Sequence, residues 1–305
     1  MRRTSFGKSA RREFLKGCAA AAAFPAFCSA ASGKSVPSPP KIKLGNLGIT
    51  TSFVAQGTGM RGYNRTSNHT RMGFEKLVAL FRHDYERGIT FFDMADLYGT
   101  HIYFREALRF IPRDKVTILT KLWWRYDGRP DQTPPDFQRR SARIALQRFR
   151  HELTTDYLDI VLLHCMTTPN WPEELKAYMD VLSEEKERKR IRAVGVSCHS
   201  IEALRVASEQ PWVEVLLARI NPRGVNMDGP VKEVAGILKE ARRRGKVVIG
   251  MKIYGEGTLT HLKEECIRFA CTEGLVDAIT VGAESPAQMD ETLKLVAKWH
   301  PRSSS

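Results

Sequence analysis

The chain has few cysteines, and their spacing argues against an iron–sulfur protein. Six cysteines occur among 305 residues. Those beyond the first 30 residues are Cys165, Cys198, Cys266 and Cys271, and none of them forms a Cys-x-x-Cys pair. Iron–sulfur clusters are held by closely spaced thiolates, so we expect no such cluster and no metal site. We interpret these four residues as small buried side chains rather than a disulfide framework.

The chain also lacks a long apolar run and a basic face with interleaved aromatic residues. The apolar stretch near its N-terminus, "CAAAAAFPAFCSAA", is shorter than the ~18–20 residues that span a membrane. The net charge is +14, but the bases lie between apolar positions of predicted helices, as in "RRSARIALQRFRHE". A nucleic-acid-binding face would combine clustered bases with aromatic residues. We therefore expect no nucleic-acid partner, with a surface that attracts small anions as an alternative.

The N-terminal residues have the order of features found in an export signal. In "SARREFLKG", Arg11 and Arg12 precede a Phe-Leu-Lys segment, and an alanine-rich run follows. Cys28-Ser29-Ala30 resembles the small-residue site that a signal peptidase cuts. The whole segment resembles a bacterial twin-arginine (Tat) export signal, and the alternative is a basic, unstructured tail.

We therefore expect three segments along the chain. Residues 1–30 would be a Tat-type signal peptide, residues 31–40 a Ser/Pro linker, and residues 41–300 one folded domain. The Tat export machinery would be a partner of the chain. The processed protein would be periplasmic or secreted, with no stable membrane insertion.

Beyond the linker, short apolar segments alternate eight times with amphipathic helices. The apolar segments are β-branched and continuous, which is typical of parallel strands buried on both faces. A short hairpin, "KIKLGNLGITTS", comes before the first of them. This pattern predicts an α/β chain folded as a (β/α)8 TIM barrel with an N-terminal β-hairpin. A doubly wound sheet is the alternative, but no G-x-G-x-x-G follows the first strand.

Titratable residues end three successive predicted strands. Asp93 ends the second strand, Lys121 the third and His164 the fourth, while Tyr98 lies in the loop after the second. Sites in such barrels lie at the carboxyl ends of the strands, so these side chains should converge. We expect Asp93 to pair with Lys121, the ammonium to favour ionisation of Tyr98, and His164 to contact Tyr98 or a substrate oxygen. This set suits protonation of a carbonyl oxygen while hydride reaches its carbon.

Each of these residues also has a structural interpretation. Asp93 alone could cap a turn, Lys121 could extend along the strand end to water, and His164 could be a hydrogen-bonded core histidine. Asp96 lies between Asp93 and Tyr98, and we interpret it as a turn residue whose carboxylate accepts from backbone N–H groups. Thr100 should cap the helix that follows.

Three segments, "FFDMADLYG", "TILTK" and "LDIVLLH", resemble the signature segments of the aldo-keto reductase superfamily. The resemblance extends from about Lys41 to Trp299. It implies a catalytic tetrad of Asp93, Tyr98, Lys121 and His164. It also implies an extended nicotinamide cofactor, NADP or NAD with NADP more usual, and a small aldehyde or ketone as substrate, with reduction or the reverse oxidation as the reaction.

The resemblance also implies where the cofactor binds. "QGTG" at the end of the first strand resembles the Gly-Thr segment of the family, and Ser197-Cys198 lies where the family usually has Ser-Asn. Where NADP-selective members carry Lys and Arg, this chain has Gly282 and Gln288. Lys252 could hold a cofactor phosphate or pair with Glu256. The implied cofactor residues are Gly57, Thr58, Ser197, Cys198, Lys252, Gly282, Ser285 and Gln288.

Two other functions fit parts of the pattern. A metal-dependent barrel hydrolase could use Asp93, His101 and His164, although the first strand ends without the usual His-x-His pair. A nicotinamide-binding barrel with little turnover could act as a sensor or partner subunit. The loop "WWRYDGRPDQTPP" after Lys121 should form part of the pocket wall, through Trp123, Trp124 and Tyr126.

Overall fold

The structure is a computed structural model that describes residues 36–301. The predicted signal peptide and residues 31–35 of the predicted linker lie outside the described residues, as do residues 302–305. Within residues 36–301, no helix combines the length and apolar character needed to cross a membrane.

Eight parallel strands close into a barrel, which confirms the predicted (β/α)8 fold. Their order around the barrel is β10-β3-β4-β5-β6-β7-β8-β9, so that each strand pairs with its sequence neighbours and β10 pairs with β3. The strands are β3 (Val54–Gly57), β4 (Phe91–Asp93), β5 (Thr117–Leu122), β6 (Leu158–Met166), β7 (Ile191–Cys198), β8 (Val215–Arg219), β9 (Val247–Met251) and β10 (Ala278–Val281). Almost all of their residues are buried, as the continuous apolar pattern predicts.

The predicted hairpin is also present, and it supplies part of the core. β1 (Lys41–Lys43) pairs antiparallel with β2 (Thr50–Ser52). Leu44 and Ile49, in the turn between them, are buried in the same apolar cluster as residues inside the barrel such as Phe91. The hairpin therefore packs against the barrel interior.

Helices surround the barrel and bury their apolar faces against the outside of the strands. They are α1 (Asn68–Arg71), α2 (Phe74–Glu86), α3 (His101–Ala107), α4 (Pro135–Leu153), α5 (Trp171–Glu174), α6 (Lys176–Glu187), α7 (Ile201–Glu209), α8 (Val231–Arg243), α9 (Lys263–Thr272) and α10 (Pro286–Trp299). The alternating sequence pattern predicts one helix near residues 173–188 and another near residues 259–271, and the structure differs from both predictions. The first helix is interrupted at Leu175, whose ψ of 19° departs from helical values. The second begins at Lys263, after two 3₁₀ turns.

Parallel pairing brings the strand-end side chains to one edge of the barrel. Asp93 pairs across from Leu119 and Lys121 across from Leu162. The pairing of β6 with β7 shifts register between Leu163 and Met166. Such a bulge re-aims the side chains around it, and here it occurs beside His164.

Candidate active site

Asp93 and Lys121 form a buried ion pair at the centre of the barrel mouth. The Lys121 ammonium donates to Asp93 Oδ1 and, over 2.8 Å, to the carbonyl oxygen of Met94. The other carboxylate oxygen, Oδ2, accepts from the Thr280 hydroxyl at 2.8 Å. The Asp93 side chain is 8% exposed and the Lys121 side chain is 1% exposed. Because burying either charge alone costs several kcal/mol, each one depends on the other.

Tyr98 lies beside this pair and faces His164. Its hydroxyl oxygen is 3.3 Å from His164 Nε2, and the Lys121 ammonium is 4.9 Å from the centre of its ring. Two glycines of the loop after β3 make room for the ring. A Cβ atom at Gly59 would lie 2.4 Å from Tyr98 Cζ, and one at Gly62 would lie 2.4 Å from Cδ1.

The surroundings fix the protonation of both rings. Burial, with a smaller effect from the Asp93 charge, raises the pKa of Tyr98 well above its usual value of 10.0. Burial, followed by the charge of Lys121, holds the pKa of His164 well below 6.5. At neutral pH the phenol is therefore protonated and the imidazole neutral. The expected lowering of the Tyr98 pKa by Lys121 is not found, because burial dominates and the nearby Asp93 charge adds to the rise.

The loop after β5 closes one side of the site. The Trp123 ring meets His164 edge to face, with ring centres 5.5 Å apart. Trp124 is buried, and its indole N–H donates to the His164 carbonyl at 3.1 Å. Tyr126 is exposed. Of the three aromatic residues singled out in this loop, Trp123 faces the His164 ring and Trp124 anchors the loop.

A polar cluster next to His164 was not predicted from the sequence. Cys165 adopts a positive φ of 64°, and its sulfur is 3.5 Å from His199 Nε2. An Arg219 guanidinium N–H donates to His199 Nδ1, and Arg219 Nη1 is 3.2 Å from Asp228 Oδ1. Because arginine can only donate, His199 carries its proton on Nε2, facing the sulfur. Burial and the nearby Arg219 lower the pKa of His199 to about 3, so this ring is neutral.

A cavity of about 490 Å³ opens beside Tyr98 and Asp93. It extends outward to α10, where Gln288 and Thr292 line it together with Glu284, which precedes the helix. Its lining contains four glycines, namely Gly57, Gly59, Gly257 and Gly282. A Cβ atom at Gly57 would lie 2.6 Å from the Thr280 hydroxyl. The lining thus combines an open, glycine-rich wall with hydroxyl and amide groups, which suits a long polar ligand such as a dinucleotide.

The structure brings together half of the implied cofactor residues in this cavity. Gly57, Lys252, Gly282 and Gln288 line it. Lys252 also pairs with Glu256, which is one of the two roles considered for it, and its role in holding a cofactor phosphate stays a prediction.

The other four implied cofactor residues do not line the cavity. The Thr58 hydroxyl donates to the Asp93 carbonyl at 2.9 Å. The Ser197 hydroxyl accepts from the Cys165 N–H at 2.9 Å. Cys198 is fully buried, and the Ser285 hydroxyl caps α10.

Two local interpretations of the loop after β4 were wrong. The Asp96 carboxylate does not accept from backbone N–H groups; it pairs with both terminal nitrogens of Arg148, at 2.9 and 2.8 Å. The Thr100 side chain does not cap α3, because its hydroxyl lies 2.9 Å from that of Thr58.

His101, a candidate metal ligand in the hydrolase alternative, has both ring nitrogens in other contacts. They lie 2.8 Å from Glu152 and 2.8 Å from Thr120. Within residues 36–301, no three His, Cys, Asp or Glu side chains are arranged to hold a metal ion. Cys165, Cys198, Cys266 and Cys271 are all free of disulfide bonds; Cys198, Cys266 and Cys271 are buried, whereas Cys165 is half-buried.

Comparisons with known proteins agree on one family. The model of the aldo/keto reductase family matches residues 57–304. The chain is 28% identical to "Probable aldo-keto reductase 1" of Glycine max over 173 residues, which is 54% of this chain and 47% of that protein. It is 24% identical to the "NADH-specific methylglyoxal reductase" of Escherichia coli (strain K12) over 194 residues, 59% of this chain and 58% of that protein. The chain spans about half the length of the curated relatives it matches.

A solved structure shares the fold. It is the Bombyx mori aldo-keto reductase in complex with NADP, which superposes with a TM-score of 0.61 at 19% identity. The superposition covers 85% of this chain and 88% of that chain.

Proposed function

The chain belongs to the aldo/keto reductase family, and on that premise we propose that it is an NAD(P)H-dependent oxidoreductase. It reduces an aldehyde or ketone to the alcohol, or catalyses the reverse oxidation. The observation that carries the proposal is the position of Tyr98, whose hydroxyl meets neutral His164 beside the buried Asp93–Lys121 pair and at the edge of the cavity.

In this proposal the four side chains have different roles. Tyr98 is the general acid that gives its proton to the carbonyl oxygen. Neutral His164 hydrogen-bonds the substrate oxygen and orients it towards Tyr98. Lys121 lies within reach of the ring and stabilises the tyrosinate that remains after proton transfer. Asp93 holds Lys121 charged and in place.

The nicotinamide, when bound, supplies the hydride that reduces the carbonyl carbon. Gly57, Lys252, Gly282 and Gln288 would hold the cofactor, since they line the cavity next to Tyr98. Thr58, Ser197, Cys198 and Ser285 stay predictions as cofactor residues, since they do not line this cavity. The cofactor is NADP or NAD.

We also propose that the chain is exported. The support is the order of Arg11-Arg12, the Phe-Leu-Lys segment and the alanine run, which suits the Tat machinery as partner and a periplasmic or secreted location. The Tat route carries folded proteins, so the cofactor could be loaded before export. Replacing both arginines by lysine should keep the chain in the cytoplasmic fraction of a bacterial host, and unchanged export would contradict this proposal.

The test of the activity is a turnover assay on the purified full chain. NADH and NADPH are each offered with a panel of small aldehydes and ketones, and loss of reduced nicotinamide absorbance is followed. We expect turnover with part of the panel. Cofactor binding without turnover of any compound would favour the sensor alternative, and absence of cofactor binding would overturn the proposal.

A further inference from the structure

We propose that this chain selects NAD(H) over NADP(H), because Glu284 places a fixed carboxylate where the adenosine ribose of the cofactor must bind. This inference rests on the proposed function and specifies its cofactor. The carboxylate would accept hydrogen bonds from the ribose hydroxyls and would repel a 2′-phosphate.

The direction of the cofactor follows from the chemistry. Hydride and proton must reach the two ends of one carbonyl bond, so the nicotinamide has to lie next to Tyr98. The cavity extends from Tyr98 at the barrel mouth to α10 in the outer helical layer. The adenosine end of an extended cofactor therefore lies in the part of the cavity lined by Glu284 and Gln288.

Glu284 is held in position from two sides. The Asn68 side-chain amide donates to Glu284 Oε1 over 2.7 Å, and the Glu284 backbone N–H donates to Gln288 Oε1 over 2.7 Å. The preceding carbonyl, that of Ala283, accepts from Gln56 Nε2 at 3.0 Å and from His69 Nε2 at 2.9 Å. With Oε1 held by Asn68, the second carboxylate oxygen of Glu284 can accept a hydrogen bond from a ligand.

A carboxylate and a cation distinguish the two cofactors in opposite ways. An acidic side chain accepts from the 2′-hydroxyl of NAD, whereas an arginine accommodates the 2′-phosphate of NADP. That rule is known from another fold, but it depends only on the charge that faces the ribose. A phosphate next to Glu284 would bring like charges together in a partly enclosed site, which disfavours binding.

No unpaired cation lines the cavity among the described residues to offset this repulsion. Its lining includes Lys252 and Lys263 but no arginine. Lys252 pairs with Glu256, and Lys263 Nζ is 2.5 Å from Glu291 Oε2. The Lys263–Glu291 pair is partly exposed and could rearrange at small cost, so the test has to include it.

The experiment measures binding of NADH and of NADPH to the purified full chain by titration calorimetry or nicotinamide fluorescence. We expect NADH to bind at least about tenfold more tightly. Glu284→Gln removes the charge while keeping the shape, and should strengthen NADPH binding while changing NADH binding less than about threefold. Glu284→Arg should abolish or reverse the preference for NADH over NADPH.

One control variant separates local from general effects, and a second variant tests the lysine that lines the cavity. Glu273→Arg makes the same charge change at an exposed position at the end of α9, and should keep the wild-type ratio. Lys263→Met should also keep it. If the unmodified chain binds NADPH as tightly as NADH, or if Lys263→Met alone abolishes NADPH binding, the inference is wrong. Selective NADH binding without carbonyl turnover would uphold it while overturning the reductase proposal, and absence of binding would overturn both.

Discussion

The hydroxyl of Tyr98 lies 3.3 Å from Nε2 of His164, and the two rings meet edge to face at 83°. Tyr98 follows β4 and His164 belongs to β6, so the contact bridges the intervening strand, β5. That strand contributes Lys121, whose partner is Asp93. A proton donor, a neutral imidazole and a neutralised ion pair therefore share one small volume at the barrel mouth.

Gly59 sets the position of the Tyr98 ring. In Gly59→Ala the new methyl group would lie 2.4 Å from Tyr98 Cζ, so the ring has to move. Because a misplacement of about 1 Å can cost about 100-fold in rate, we expect kcat/KM to fall by roughly that factor. Gly236→Ala is the matched control, since its methyl group meets nothing within 4 Å and lies in α8. It should leave kcat/KM unchanged, and an equal effect of both substitutions would contradict the assignment.

The Asp93–Lys121 pair should dominate the local stability. Asp93→Asn leaves the Lys121 ammonium buried without a counter-charge, which typically costs about 3–5 kcal/mol. Urea denaturation of the variant and the parent chain measures this loss. Asp131→Asn removes one partner of the exposed Arg129–Asp131 pair and should change the free energy of unfolding by less than about 0.5 kcal/mol. Equal effects of the two substitutions would argue against a buried pair.

The pH dependence of reduction should be flat around neutrality. The pKa of Tyr98 is raised above 10.0 and that of His164 is lowered below 6.5, so neither group changes charge between about pH 7 and 9. We expect no step in kcat/KM from these groups in that range, and in the oxidation direction a rise only above about pH 10, where Tyr98 begins to ionise. An acidic limb with a pKa near 6.5 that disappears in His164→Gln would contradict a neutral, buried His164.

The same depressed pKa has a consequence for stability. The unfolded chain takes up a proton on His164 as pH falls through about 6.5, while the folded chain does not. The unfolded state therefore binds more protons, and this group lowers the free energy of unfolding as the solution becomes more acidic. In His164→Gln that contribution should be lost, so the fall in the free energy of unfolding between pH 7 and pH 5 should be smaller than in the parent chain by up to about 2 kcal/mol, which denaturation at the two pH values measures.

Asp96 is a partner of α4 rather than a turn residue. Its side chain is 1% exposed and that of Arg148 is 31% exposed. A double-mutant cycle of Asp96→Asn and Arg148→Met should give a coupling energy of about 1 kcal/mol or more. A coupling near zero would restore the interpretation of Asp96 as a local backbone acceptor. Glu240→Gln, at an exposed helical ion pair, serves as a control for general charge effects.

The barrel and three of its strand-end residues could be predicted from the sequence because short local patterns mark the strands and their ends. Apolar runs mark the strands, and the last polar residue of a strand faces the mouth, which located Asp93, Lys121 and His164 together. The contact between Asp96 and Arg148 could not be found this way. It joins residues 52 positions apart and depends on which face α4 turns towards the β4 loop.

The cluster of Cys165, His199, Arg219 and Asp228 escaped prediction for a related reason. Its members come from the ends of β6, β7 and β8 and from the loop beyond β8, and none has a distinctive spacing. The bulge that gives Cys165 a positive φ has no glycine to mark it in the sequence. The side-chain contacts of Thr100 were mistaken because a threonine before a helix is a common cap, and here another threonine competes for its hydroxyl.

The most direct test of the account is Tyr98→Phe, which removes one oxygen atom and leaves the ring that packs on Gly59. We expect kcat/KM for carbonyl reduction to fall by about 10²–10⁴-fold, with cofactor binding and thermal stability unchanged. Tyr157→Phe, at a residue preceding β6 at the opposite end of that strand from His164, should retain full activity. Tyr98→Phe with undiminished turnover would show that another group donates the proton and would contradict the account.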